Sequence, residues 1–139
     1  MSLIEYKLKS AWPKSRYPNI SFDEWACSHS GRCVVDKDFL DRLQALRTKL
    51  GFPLIITSGY RSETHPVEAK KKKLGAHTTG KAVDIKISGA KAWELLMSCS
   101  EFGFTGIGLK QTGDMDSRFI HLDTMTEGEG FPRPWVWTY

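Results

Sequence analysis

The chain has 139 residues, enough for one folded domain, and two independent cores would each be small. A hydrophobic content of 40% with 12% aromatic residues is ordinary for a folded protein and excludes a disordered one. No run approaches eighteen apolar residues, so we expect no transmembrane helix. Residues 1–14 contain lysines but no apolar stretch, so we expect no secretory signal.

The formal net charge of +4 makes the chain mildly basic, as are many proteins that meet nucleic acid or anionic surfaces. Much of the excess lies in the lysine run at residues 70–73. This run lacks the interleaved aromatic side chains on which nucleic-acid bases stack. We therefore favour a solvated helical face over nucleic-acid binding, and we expect neither a nucleic-acid nor a membrane partner.

The first half of the chain begins with residues 1–19, whose prolines and polar residues predict an irregular arm. Ser21 is placed to cap a helical turn together with Glu24, three residues later. Apolar residues at helical spacing predict a helix over residues 36–50, and Gly51 supplies its stop.

The middle of the chain contains a short apolar run at residues 54–57, which predicts a buried strand. Residues 63–74 are compatible with a helix, although Pro66 confines its start to that position. Residues 82–87 alternate between apolar and polar, which predicts a strand with Asp84 on the face opposite the buried one.

The last third predicts a helix over residues 90–101 and two strands over residues 104–110 and 118–124. The tail at residues 131–139 is rich in aromatic residues and is expected to pack back onto the body. The order of elements predicts an α+β fold with a mainly antiparallel sheet and flanking helices.

The three cysteines cannot all pair within one chain, so a disulfide scaffold is not expected. Cys27 and Cys33 flank His29, which raises the possibility of a structural metal site. Their spacing is wider than that of a zinc knuckle, and no fourth ligand is evident nearby. Buried thiols or one local disulfide are the alternatives.

The residues that predict chemistry are His77 in a loop, Asp84 on a strand and His121 on a later strand. Zinc takes imidazole nitrogen and carboxylate oxygen, and a catalytic zinc site keeps three protein ligands and one open position. Gly80 allows a tight turn between the first two candidates. Each residue has a plainer explanation by itself, such as a cap or a solvent-facing position, but their combination favours a metal site.

Three segments in this order resemble a known family. They are Ser-Gly-Tyr-Arg at residues 58–61, the histidine-to-aspartate segment at residues 77–84, and His121. Together they resemble the zinc D-alanyl-D-alanine carboxypeptidases, in the wider group that contains phage and bacterial peptidoglycan peptidases and the hedgehog signalling domain. The resemblance runs from about residue 19 into the tail, and His65 matches the spacing seen in the phage and bacterial branch.

This resemblance implies that residues 1–139 form a single zinc metallopeptidase domain, with an irregular N-terminal arm at about residues 1–19. It also implies that His77, Asp84 and His121 are the zinc ligands. It implies that Arg61 lies near the metal and polarises the substrate carbonyl or stabilises the oxyanion, a role that suits a permanently charged planar group. Tyr60 and Arg61 would bind substrate. The alternative for Arg61 is a salt bridge that only holds the turn.

The sequence departs from the family pattern at two positions. Many members have serine where this chain has Gly75, and several branches have an acidic general base where it has Arg118. We expect Asp123 to act as the base instead, because alternation places it on the same strand face as His121. Asp116 in the preceding loop is the second candidate.

The resulting hypothesis is a zinc-dependent peptidase that cleaves peptide stems or cross-bridges of bacterial peptidoglycan, with peptidoglycan peptide as its partner. Without a secretory signal, it would act after lysis or as part of a phage particle. The alternative is a non-catalytic module of the same fold, stabilised by its metal, that binds cell-wall peptide or a protein partner.

Overall fold

A computed structural model describes residues 3–139; Met1 and Ser2, which belong to the predicted arm, lie outside the described residues. The arm is not irregular throughout, because strand β1 (Leu3–Tyr6) pairs antiparallel with β2 (Cys33–Asp36). The prediction missed β1 because the strand is short and its partner lies far along the chain. Trp12 and Tyr17 anchor the rest of the arm in the hydrophobic core.

The main sheet has five strands in the order β3-β4-β6-β5-β7. Its strands are β3 (Ile55–Ser58), β4 (Ala82–Lys86), β5 (Gly106–Lys110), β6 (Phe119–Asp123) and β7 (Trp135–Thr138). All neighbours are antiparallel except β5 and β7, which are parallel. The predicted α+β class with a mainly antiparallel sheet is confirmed, and the tail does pack back onto the body, as a strand.

The helices are α1 (Phe22–Trp25), α2 (Lys37–Leu50), α3 (Pro66–Ala69) and α4 (Gly89–Cys99). The predicted capping box at Ser21 and Glu24 is present at the start of α1. Asp36 caps α2 by accepting a hydrogen bond from the Phe39 backbone, and Gly51 ends it with a φ of 74°. Within residues 3–139, no helix has both the length and the apolar character needed to cross a membrane.

Two predicted elements differ from the structure. Strand β3 is not buried, because it forms the edge of the sheet and leaves Ile55 55% exposed. The helix predicted over residues 63–74 is reduced to α3, so the lysine run follows a helix and does not form a helical face. Two lysines of this run contact other residues. Lys71 contacts Glu68, and Lys73 contacts the Gly130 carbonyl and the Phe131 ring.

The three cysteines are buried free thiols, so the alternative of a local disulfide is wrong. The residues described contain a single group of three or more histidine, cysteine or acidic side chains close enough to share a metal, and it does not include Cys27, His29 or Cys33. The plainer interpretation of the cysteines, as core residues, is the one that fits.

Candidate metal centre

The site begins with the pairing of β4 and β6, which places Asp84 directly opposite His121. Paired residues of neighbouring strands project from the same face of a sheet, so the two side chains meet. His77 comes from a single helical turn, Ala76–Thr79, that ends at Gly80 with a φ of 75°. A glycine takes this left-handed conformation without strain, which lets the chain turn from His77 into β4.

The three side chains converge. Asp84 Oδ1 lies 3.3 Å from His77 Nε2 and 3.0 Å from His121 Nδ1. The candidate ligand atoms all lie within 4.8 Å of one another, as atoms around a shared ion must. The structure therefore brings together the residues that the sequence predicts as zinc ligands.

Hydrogen bonds on the far side of each ring fix which nitrogen faces Asp84. His77 Nδ1 lies 2.8 Å from the Gly59 carbonyl oxygen, which can only accept a hydrogen bond. His121 Nε2 lies 2.7 Å from Asp123 Oδ2, an acceptor as well. The neutral His77 ring therefore points the lone pair of Nε2 toward the Asp84 carboxylate. The neutral His121 ring does the same with Nδ1 when its proton is on Nε2, facing Asp123.

This arrangement places two nitrogen lone pairs and a carboxylate oxygen against one another, which is unfavourable unless a positive charge is shared among them. Burial works against ionisation of Asp84, but hydrogen bonds from His121 and His77 hold the pKa of its carboxyl well below its usual range. Burial also opposes a charge on His121, but Asp123 and Asp84 raise the pKa of its imidazole. The donor set thus fits a cation, either bound protons or a metal ion.

The cluster opens into a cavity of about 380 Å³. Its wall is cationic and aromatic beyond the three candidate ligands, and includes Arg61, Lys71, Phe119, Phe131, Arg133, Trp137 and Tyr139. Asp84 is the sole acidic side chain among the described residues that line this cavity. A ligand that carries a carboxylate would meet three basic side chains, each of which also pairs with a buried acid: Arg61 and Lys71 with Glu68, and Arg133 with Asp123.

Arg61 lies beside the cluster, as predicted. Its guanidinium is 3.5 Å from Asp84 Oδ2 through Nη2, and it donates from Nη1 to Glu68 Oε2 at 3.1 Å and from Nε to Ser58 Oγ at 3.0 Å. Its backbone N–H also donates to the His77 carbonyl. Arg61 is both held in place by a salt bridge and exposed to the cavity, so the two interpretations of this residue are compatible.

Glu68 is a buried acid that the sequence analysis did not single out. Besides Arg61, its carboxylate accepts hydrogen bonds from the Gly75 backbone at 2.9 Å and from Lys71 Nζ at 3.3 Å. Burial opposes ionisation, but these donors lower the pKa of the Glu68 carboxyl. A side chain at Gly75 would crowd Lys71 and Glu68, which gives a physical reason for the departure from serine there.

Neither predicted base lines the cavity. Asp123 is fully buried, and both of its oxygens are engaged, by His121 Nε2 and by the Arg133 guanidinium. It shares a strand face with His121, as predicted, but lies behind the ring and not in the cavity. The Asp116 side chain is 95% exposed and pairs with Lys86, away from the cluster.

Tyr60 does not line the cavity either. It is 5% exposed and packs in the hydrophobic core, and it lines a second cavity of about 210 Å³ together with Arg61 and His65. That Tyr60 binds substrate therefore stays a prediction, and the cavity it lines is not the one at the cluster. The prediction extended to Tyr60 only because the family motif includes it, and the motif does not say which way each residue points.

Gly59 joins the site to the core. A Cβ added there would come within 2.8 Å of Trp25 Cε3 and of the Trp25 carbonyl oxygen. We expect Gly59→Ala to lower the free energy of unfolding by about 1–3 kcal/mol through overpacking, and to weaken metal binding by shifting the carbonyl that holds His77. Urea unfolding and zinc titration measure the two effects. Gly128→Ala, where a Cβ meets nothing closer than 3.8 Å, should change neither; equal effects at both positions would contradict this reasoning.

These features define a small α+β domain with a candidate site for a metal ion. The family model for Peptidase M15 matches residues 18–123. The chain therefore belongs to the Peptidase M15 family, whose members are metal-dependent peptidases. No curated protein and no solved structure matches the chain. The resemblance drawn from the motifs is confirmed for the family, whereas the phage and bacterial branch stays a prediction.

Proposed function

We propose that the protein is a zinc-dependent peptidase that cleaves peptide stems or cross-bridges of bacterial peptidoglycan. The observation that carries the proposal is the convergence of His77, Asp84 and His121 at the base of an open cavity, in a chain of a metallopeptidase family. Two imidazole nitrogens and one carboxylate suit zinc and leave room for a further ligand.

Each ligand is oriented by the chain itself. His77 is held through the Gly59 carbonyl and His121 through Asp123, so their ligand nitrogens face Asp84. Partners of this kind fix the ring orientation and raise the basicity of metal-binding histidines. When bound, zinc acts as a Lewis acid and makes water nucleophilic near neutral pH.

Arg61 supplies the second element of the chemistry. Its contacts with Ser58 and Glu68 fix the plane of the guanidinium, and Nη2 remains directed to the region of Asp84. A preorganised, permanently charged donor at this position can hold the substrate carbonyl and stabilise the negative charge that develops on it.

The cavity wall supports a peptide that carries carboxylates, as peptidoglycan stems do. Lys71 lies at the cavity with its side chain 41% exposed, close to Arg61. The rings of Phe119, Trp137 and Tyr139 offer apolar surface for the rest of the peptide. We further propose that the protein acts on the cell wall after lysis or as part of a phage particle.

A second candidate function is a non-catalytic module of the same fold that binds cell-wall peptide or a protein partner. The observation that favours it is the position of the predicted bases, because neither Asp123 nor Asp116 lines the cavity. In this alternative the metal only stabilises the fold.

Purified sacculi distinguish the two candidates. We expect the zinc-loaded protein to reduce the turbidity of sacculi, a chelator to stop the reaction, and added zinc to restore it. His77→Ala should be inactive, whereas His29→Ala, which alters an exposed histidine outside the cluster, should match the wild type. Binding to sacculi without release of peptide would support the module, and activity unaffected by the chelator would reject zinc catalysis.

A further inference from the structure

Arg133 lies in the tail, beyond residues 18–123 that match the family. Its guanidinium donates from Nε to Asp123 Oδ1 at 2.9 Å and from Nη2 to Asp123 Oδ2 at 2.8 Å. The Arg133 side chain is 7% exposed and that of Asp123 is fully buried. Paired hydrogen bonds of this type fix the plane of a carboxylate as well as its position.

The same carboxylate faces the candidate metal centre through one more hydrogen bond. Asp123 Oδ2 accepts from His121 Nε2 at 2.7 Å, and the opposite nitrogen of that ring, Nδ1, lies 3.0 Å from Asp84 Oδ1. Hydrogen bonds therefore connect Arg133 through Asp123 to His121, which is a candidate metal ligand. The proton on Nε2 leaves Nδ1 free to bind a metal.

The sheet has a glycine where the Asp123–Arg133 pair needs space. A Cβ at Gly106 would lie 2.5 Å from Arg133 Nε and even closer to Asp123 Oδ1, so only glycine leaves space for the ion pair. Strand β7 runs parallel to β5 and places Trp137 beside Gly108. The centroid of the Trp137 ring lies 5.1 Å from the centroid of the His121 ring. The Arg133 guanidinium lies 5.0 Å from the Trp137 ring and 5.3 Å from the Phe131 ring.

We infer that Arg133 is a positioning residue of the metal centre, which acts through Asp123 to hold His121 in the orientation and tautomer that present Nδ1 to a metal. The inference rests on the proposed metal centre, but its first consequence concerns the metal-free protein. Without Arg133 the Asp123 carboxylate is left with the Met125 backbone N–H, 3.2 Å from Oδ1, and with His121 at Oδ2. The carboxylate is then held less firmly, and it selects the Nε2–H form of His121 less strictly.

The variant Arg133→Met keeps much of the side-chain volume and removes the donors. In the metal-free protein at alkaline pH, where imidazole is neutral, ¹⁵N NMR should show His121 as the Nε2–H tautomer in the wild type and as a mixture in the variant. The dissociation constant for zinc should rise by roughly 10–100-fold, the usual cost of losing an outer partner of a ligand. Arg133→Lys, with a single charged donor group, should be intermediate.

Arg16→Met is the matched control, because Arg16 makes the same paired contacts with Asp41, at 2.8 Å each, on the exposed surface. It should leave both readouts unchanged. A single His121 tautomer and unaltered zinc affinity in Arg133→Met would overturn the inference. A changed tautomer in a protein that never binds zinc would support the positioning role and reject the proposed function. If Arg133→Met fails to fold, Arg133→Lys decides by the same readouts.

Discussion

Replacing Asp84 with asparagine is expected to abolish zinc retention and peptidase activity together. Asp84 Oδ1 is the atom that both candidate histidine ligands approach, and its negative charge balances part of the charge of the ion. Asparagine keeps the shape but removes the negative charge that a divalent ion requires. The loss of zinc affinity should exceed the roughly 10–100-fold that the loss of an outer partner costs.

Zinc titration and release of peptide from sacculi measure this effect. Asp116→Asn makes the same chemical change at a side chain that is exposed and lies outside both the cluster and the cavity, so it should leave both quantities unchanged. If Asp116→Asn instead lowers the rate without loss of zinc, Asp116 is the base after all. If Asp84→Asn retains zinc, the assignment of the metal centre is wrong.

The pH dependence of zinc binding provides an independent check. A metal ligand must be deprotonated, so protons compete with zinc for the histidines. Asp123 and Asp84 raise the pKa of His121 above its ordinary value of 6.5. Zinc affinity should therefore reach its full value above this raised pKa and decline as the pH falls through it. The decline should begin at a higher pH than it would for a free imidazole.

Replacing Glu68 with leucine is expected to give the largest loss of stability. Glu68 is fully buried and accepts hydrogen bonds from Arg61, Lys71 and the Gly75 backbone. Leucine would remove the acceptor of Arg61 Nη1, of Lys71 and of the Gly75 N–H at once, and removing one member of a buried pair typically costs about 3–5 kcal/mol. Urea unfolding measures the loss.

Glu101→Leu is the control, because Glu101 pairs with Lys49 on the surface, where such contacts contribute about 0–1 kcal/mol. Equal losses from Glu68→Leu and Glu101→Leu would show that the buried carboxylate is not a structural requirement.

A milder change, Glu68→Gln, retains an acceptor, so the protein should fold. Its kcat should be lower than that of the wild type, because Arg61 is less firmly held.

The sequence predicts the cluster because local patterns place its members. Alternation along β4 sets the direction of Asp84, and alternation along β6 does the same for His121. The spacing from His77 to Asp84 then fits a turn closed by Gly80. That β4 and β6 are neighbours, in register with Asp84 opposite His121, is a property of the sheet that neither strand predicts alone.

The errors arise where direction or distance depends on contacts far along the chain. Asp123 has the strand face expected of a base, but its surroundings are set by Arg133, which lies just before β7, the strand that joins the sheet beside β5. Ile55 follows an apolar pattern but lies on an edge strand, so it stays exposed. Glu68 follows no pattern, because its partners come from a turn and a neighbouring loop.

The glycines at positions 106 and 108 have a consequence for how the protein can change. Any larger residue at Gly106 would meet the Asp123–Arg133 pair, and any larger residue at Gly108 would meet the Trp137 ring. Substitution of either glycine is therefore expected to disturb the candidate metal centre, although neither residue contributes a side chain to it. A variant library that keeps only the three candidate ligands constant would include variants that lose the site.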